Sequence, residues 1–359
     1  MAEAVRCGSA PVDSGWRPAV DVLREPCRSP AAWLAADLVD PVAWTVELAP
    51  SHLEELESAL RETRKYGIVL LKITRDRFRL PTLGRVLERV ARSLEHGPGF
   101  AVIKGVPVER YDEAEISTIF WGMAQYLGFP VSQDSFGRKL GRLPSAAASR
   151  GGRCAADVEL RTGGSDVTAL LGPRLGGQSS VVSSAALYNE VLRRNPMLVE
   201  RMYGRFGFDR GGEQLPGEPP YRSLPLVRWY DGKLSFRYRR GDVESAQRFP
   251  GVRRLGHADR QLLDLIDGLA AAAEFRFSFG VDPGDIQLFN NYAVLHSHVQ
   301  QRCHAVSDAG DHALQLWLTL HDGRSLPPDF TWRTPGYGGP HGRGGVAPRD
   351  VVDEQRLRA

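Results

Sequence analysis

Apolar residues along the chain fall into two rhythms, one helical and one extended. Leu53, Leu56 and Leu60 recur at helical spacing, and Ser51 with Glu54 reads as a capping box in front of them. Thr82 opens a second run with Leu83, Val86, Leu87, Val90 and Leu94 on one face, stopped by Gly97-Pro98-Gly99. Asp112 and Glu115 cap a third, with Ile116, Ile119, Phe120, Met123 and Leu127 facing inward and Gly128 at its end. Asn195-Pro196 starts a helix that runs to Tyr203, and Gln261 to Ala273 is helical through Leu262, Leu265, Ile266 and Leu269.

The extended rhythm predicts short strands at Ile68–Ile73, Phe100–Gly105 and Ala313–Leu320. Leu226–Tyr230 and Leu234–Tyr238 flank Asp231-Gly232, a strong hairpin signal. Residues 1 to about 45 read as a loosely ordered arm, residues 46–326 as one mixed domain, and residues 327–359 as a Gly- and Pro-rich tail. Phe136 to Ala156, rich in Gly, Ser and Arg, reads as a mobile loop.

One stretch carries chemistry. Asp282-Pro283-Gly284 makes a turn, Ile286 and Leu288 form a strand, Asn290-Asn291 interrupts it, and Val294-Leu295 resumes it towards His296 and His298. Side chains alternate along a strand, so the two imidazoles share a face.

Composition narrows the field. The 359 residues are 42% hydrophobic and 25% charged, with a net charge of +3, ordinary for a soluble globular protein with a large core. Near-balanced charge gives no argument for nucleic acid or a membrane surface. Cys7, Cys27, Cys154 and Cys303 lack C-x-x-C spacing and read as reduced thiols in a cytoplasmic protein. No leader-like run at the start and no long apolar stretch are found.

From about Leu53 to Leu326 the chain resembles the TauD/TfdA family of Fe(II)/2-oxoglutarate dioxygenases. The segments that carry the resemblance are Gly99–Pro107, the run from Tyr126 to Gln133, Gly176-Gly177 with Ser179 and Ser183-Ser184, and Pro283–His296. It implies an α+β fold, a distorted double-stranded β-helix (jelly roll) with flanking helices. It also implies that His296 stands at the last iron-ligand position. The family's first two ligands sit in an H-T-D-x-x-D segment. Here that frame falls on Arg161 to Asp166: Thr162 and Asp166 keep their places, but the histidine position is Arg161 and the carboxylate position is Gly163. An arginine stays protonated and has no lone pair for a metal. The arginines that hold 2-oxoglutarate in the family's final strand are replaced by Asp311 and Gln315.

These departures lead to the expectation of a small-molecule tailoring enzyme in specialised metabolism that has lost iron chemistry and uses no metal and no cofactor. The alternatives are a non-catalytic metabolite-binding pseudoenzyme, or an oxygenase with Fe(II), 2-oxoglutarate and unusual ligands. His296, His298 and Asp166 are the expected catalytic set, the two histidines titrating near neutrality. Arg161, Thr162, Gln133, Gln315 and Asn291 are the expected substrate-binding set, for an amino-acid or peptide-like molecule. Arg161 with Asp166 as a plain salt bridge, and a metal site rebuilt from His296, His298 and His304, are the competing readings of the same residues.

Overall fold

The computed structural model describes residues 21–144, 159–172, 176–300, 312–330 and 343–348. The helices are α1 (Pro50–Lys65), α2 (Leu83–His96), α3 (Glu113–Leu127), α4 (Ser184–Arg194), α5 (Pro196–Met202), α6 (Arg240–Ser245) and α7 (His257–Ala271). The strands are β1 (Thr45–Glu47), β2 (Phe100–Lys104), β3 (Gly128–Val131), β4 (Leu140–Pro144), β5 (Val167–Leu171), β6 (Gly177–Ser183), β7 (Arg205–Asp209), β8 (Tyr221–Pro225), β9 (Val227–Tyr230), β10 (Lys233–Phe236), β11 (Arg276–Val281), β12 (Ile286–Asn290), β13 (Val294–Gln300) and β14 (His312–Leu320).

Two sheets face each other. The larger runs β1-β2-β12-β5-β14-β3, with β4 also paired to β14, and the smaller runs β11-β6-β13. Alternation along each strand sorts the apolar side chains into three layers. Ile103, Ala169, Leu171, Ile286, Leu288, Leu314, Leu316 and Leu318 leave the large sheet on its outer face and pack on α1, α2 and α3. Val182 and Leu295 leave the small sheet outward against α4, α5 and α7. Between the sheets lie Phe100, Val102, Leu170, Phe289, Val181, Phe279 and Val281. Each fully buried side chain of this size contributes about 2 kcal/mol by its removal from water. The result is the mixed, helix-flanked double-sheet architecture expected from the resemblance.

Local signals were read correctly where they were strongest. Asp112 accepts from the Glu115 amide at 2.8 Å while Glu115 accepts from the Asp112 amide at 2.9 Å, so that capping box forms. Asp231 and Gly232, at φ of 51° and 69°, make the hairpin turn between β9 and β10. Two expectations fail. Helix α1 begins at Pro50, and the His52 ring rather than Glu54 caps it by accepting from the Ala49 amide at 3.1 Å. The run at Ile68–Ile73 is not a strand: Leu70–Lys72 forms a 3-10 turn, and Val69 and Leu71 are 64% and 63% exposed. An apolar run without an open sheet edge to join has no ladder to complete.

Of the segment read as an arm, residues 21–45 are described and are packed in part, with Val39 and Val42 exposed. Trp33 and Leu38 are buried, the Trp33 indole donates to Pro98 O at 2.8 Å, and the Cys27 amide donates to Asn189 Oδ1 at 2.7 Å. Of the segment read as a tail, Phe330 is buried and Arg343 reaches the centre of the molecule. Of the expected mobile loop at Phe136–Ala156, Leu140–Pro144 instead forms β4, paired to β14, and residues 145–156 lie outside the described residues, as do Cys7, Cys154, Cys303, His304 and Asp311. Among the described residues, no helix is long and apolar enough to cross a membrane.

Candidate active site

His296 lies on β13 opposite Val181 of β6 and faces the space between the sheets. Its ring stacks on Phe289 of β12, with centroids 4.5 Å apart and planes 2° from parallel. The strand β13 also pairs with the segment before β5: the Arg161 amide donates to His296 O at 3.1 Å and the His296 amide to Arg161 O at 2.9 Å. Directly opposed residues in an antiparallel pair send their side chains to one side. Arg161 and His296 are thereby neighbours on one side of the pair.

Electrostatics there differ from the expectation. Burial, then the nearby Arg161 charge, then His298, pull the His296 pKa down to about 3. Burial pulls His298 down to about 4. Both rings are neutral at pH 7, so they do not titrate near neutrality: desolvation penalises the charged imidazolium. His296 Nδ1 is buried with no hydrogen-bond partner among the described residues. The Arg161 guanidinium is half-buried, and its pKa is lowered by burial and by Arg239.

An unfolded histidine takes up a proton near pH 6.5, and these two do not until pH 3 to 4. Stability is therefore full above about pH 6.5 and is lost as the pH falls below it. His298→Gln should abolish about 2 kcal/mol of the loss between pH 6.5 and 5, read by urea denaturation at the two pH values. Equal slopes for the two proteins would show that His298 is not held neutral.

The other expected residues are placed as follows. Asp166 is buried beneath the site. Its carboxylate accepts from Arg343 at 2.7 and 3.2 Å, from the Leu320 amide at 3.1 Å and from the Tyr292 hydroxyl at 3.1 Å. The Arg161–Asp166 salt bridge does not form, because Arg343 takes that carboxylate. Thr162 Oγ1 accepts from the Tyr238 amide at 3.0 Å. Gln133 donates to Lys139 O at 2.7 Å and to Gln315 O at 2.8 Å, and so staples the loop before β4 to β14. Gln315 stands opposite Leu170 of β5, half-buried.

Asn291 fills the space beside Gly163. Its Oδ1 accepts from the Gly163 amide at 2.7 Å, and its Nδ2 donates to Ser165 O at 2.9 Å and Thr168 Oγ1 at 3.1 Å. A Cβ on Gly163 would stand 2.5 Å from Thr168 Oγ1 and 2.8 Å from Asn291 Oδ1. The room for a side chain at 163 is filled. Gly163→Asp should therefore cost about 1–3 kcal/mol by overpacking, seen as a lower urea midpoint with unchanged slope. An unchanged midpoint would mean that Asn291 and Thr168 move aside freely.

Sequence reasoning missed Arg343, Tyr292, Ser179 and Gln287. Gln287 had a signal: it is the polar residue in the inward register of Ile286-Gln-Leu-Phe289. Arg343, in the segment read as a tail, had none.

The two facing sheets and the helices packed on them define a helix-flanked double-sheet protein. The chain belongs to the taurine catabolism dioxygenase TauD, TfdA family, whose model matches residues 62–305. It is similar to FR-33289 synthase of Streptomyces rubellomurinus, 27% identical over 86% of this chain and 94% of that one. It is also similar to the taurine hydroxylase-like protein SAT17 of Stachybotrys chartarum, 24% identical over 85% and 80%. Among solved structures, asparagine oxygenase in complex with Fe(II), 3-hydroxyasparagine and succinate superposes with a TM-score of 0.57 at 15% identity, covering 77% of this chain and 94% of that one. The non-heme iron oxygenase OrfP with Fe and alpha-ketoglutaric acid gives 0.55 at 14% identity, with the same coverage.

These comparisons overturn the expectation of a protein with no cofactor, since the family and its solved members point to Fe(II) and 2-oxoglutarate. The described residues nevertheless do not fit the family's three-ligand iron centre. Arg161 offers no lone pair, Gly163 offers no side chain and no room for one, and His296 alone remains. Among the described residues, no group of three His, Cys, Asp or Glu side chains is placed to hold a metal.

Proposed function

We propose that this protein is an oxygenase-class enzyme of its family that modifies a small, amino-acid-like molecule, with Fe(II) and 2-oxoglutarate as its cofactors and a donor set that departs from the family's. The observation that carries this reading is His296: a neutral imidazole at the family's last ligand position, stacked on Phe289, with Nδ1 unpartnered among the described residues. A histidine held near 3 is too weak a base to remove a proton efficiently at pH 7, where the best catalytic pKa lies near the working pH. It is well suited to donate a lone pair. That weighs against the non-oxidative acid–base step expected from the sequence. Asparagine oxygenase and OrfP, with bound hydroxyasparagine and hydroxyarginine, support an amino-acid-like substrate.

An Fe(II)/2-oxoglutarate pair held at His296 would supply the oxidising power. The chain's own residues do the rest. Arg161 presents a cationic fork to a carboxylate beside His296, worth about 1.5–3 kcal/mol for a charge-assisted hydrogen bond. Phe289 and Val181 keep the wall beside His296 dry.

The test is reconstitution under anaerobic conditions with Fe(II) and 2-oxoglutarate, followed by air and a panel of amino acids and their amides. Substrate-dependent succinate release with iron retained is expected. Product formation that ignores iron chelators and releases no succinate would overturn the reading in favour of a non-oxidative enzyme. Substrate binding without turnover would leave a binding protein.

A further inference from the structure

Between the sheets, next to His296, three polar side chains meet in an apolar layer. Ser179 of β6 and His298 of β13 are opposed across the small sheet, with Phe279 of β11 on the far side of Ser179. Gln287 of β12 faces them from the large sheet, flanked in register by Val102 and Leu170. Ser179 and Gln287 are both fully buried. The Ser179 hydroxyl donates to Gln287 Oε1, and Ser179 Oγ lies 3.0 Å from His298 Nδ1.

A serine hydroxyl carries one proton. With that proton given to Gln287, the hydrogen in the Ser179–His298 contact comes from the imidazole. We propose that Ser179 and Gln287 are positioning residues that hold His298 as its Nδ1-protonated tautomer, so that Nε2 is left as a bare lone pair in the inter-sheet space. The bond crosses from one sheet to the other, and therefore also fixes the ring's orientation. It is not a closed structural staple. Gln287 Nε2 is buried with no partner among the described residues, a donor that normally costs about 1–3 kcal/mol to leave unmet. The chain thus sets out a lone pair on His298 and an N–H on Gln287 on either side of one hydroxyl. A ligand group that donates to the first and accepts from the second, such as a carboxamide, matches both.

This rests on the proposed function and deepens it by adding His298, two residues along the same strand from His296, to the groups that meet the bound molecule. The tautomer is measured without turnover, so it stands or falls independently of the oxygenase reading. The experiment is long-range proton–nitrogen NMR on the full chain labelled with nitrogen-15 in histidine, at pH 8.5, where an ordinary imidazole is already neutral. His298→Gln assigns the signal by its disappearance. His298 is expected to show its protonated nitrogen at Nδ1. Gln287→Met frees the serine proton to turn towards the ring, and should shift His298 to the Nε2-protonated form. Ser179→Ala should lose the preference, and Ser179→Thr should keep it. The remaining histidine signals report whether each variant is folded. If Ser179→Ala does not fold, Gln287→Met decides. A wild-type His298 protonated at Nε2 would mean that the bond runs from Gln287 through Ser179 to the ring, and would overturn the proposal. So would a tautomer unchanged in Gln287→Met.

Discussion

Asp166→Ala is expected to destabilise the protein by about 3–5 kcal/mol, the range for leaving one member of a buried ion pair alone. Asp166 and Arg343 are 2% and 10% exposed at their side chains, and the shorter of their two bonds is 2.7 Å. Burial pushes the Asp166 carboxyl up, while Arg343, the Leu320 amide and the Tyr292 hydroxyl pull it back down. Without the carboxylate, the Arg343 guanidinium stays charged with no compensating anion at that place, and the Leu320 amide and Tyr292 hydroxyl lose their acceptor. Three segments come apart together: the end of β14, the turn after β12 that carries Asn291, and the 343–348 segment. Asp166→Asn keeps an acceptor oxygen and should fall between the two. Urea denaturation with an unchanged slope checks the order. A loss below about 1 kcal/mol for Asp166→Ala would show that Arg343 simply turns to solvent. That result would also remove the structural account of why Asp166 lies beneath the site rather than in it.

His296→Ala is expected to lower turnover by at least about 100-fold, equivalent to about 3 kcal/mol of barrier. The proposed function asks this residue for a lone pair. Truncation also removes the ring stacked on Phe289, so stability should fall by about 2–4 kcal/mol through the cavity. His296→Asn separates the effects, because it keeps part of the volume and an acceptor while shortening the reach. Activity lost in both variants, with stability recovered in His296→Asn, is the expected pattern. Turnover in His296→Ala within threefold of the parent protein would remove His296 from the chemistry.

Much of the molecule was legible without coordinates, because it rests on short-range rules. Alternation put His296 and His298 on one face. Asp231-Gly232 marked its hairpin, since only a turn with positive φ at both residues matches the twist of the flanking strands. The Ile68–Ile73 run misled because its hydrophobicity is real but has no partner strand. Strand formation is decided by the neighbour, which a local window does not contain.

The site divides along the same line. Sequence alone determined that residues 161 and 163 are an arginine and a glycine, neither able to give a metal a side-chain lone pair, because the identity of a side chain sets its lone pairs and charge. Only the tertiary structure decided the rest. Asp166 is claimed by an arginine 177 residues away, Asn291 and Thr168 occupy the space beside Gly163, and burial turns two expected titrating histidines into neutral donors. Desolvation, packing volume and long-range pairing are properties of what surrounds a residue in three dimensions, and they appear only once distant segments have closed around it.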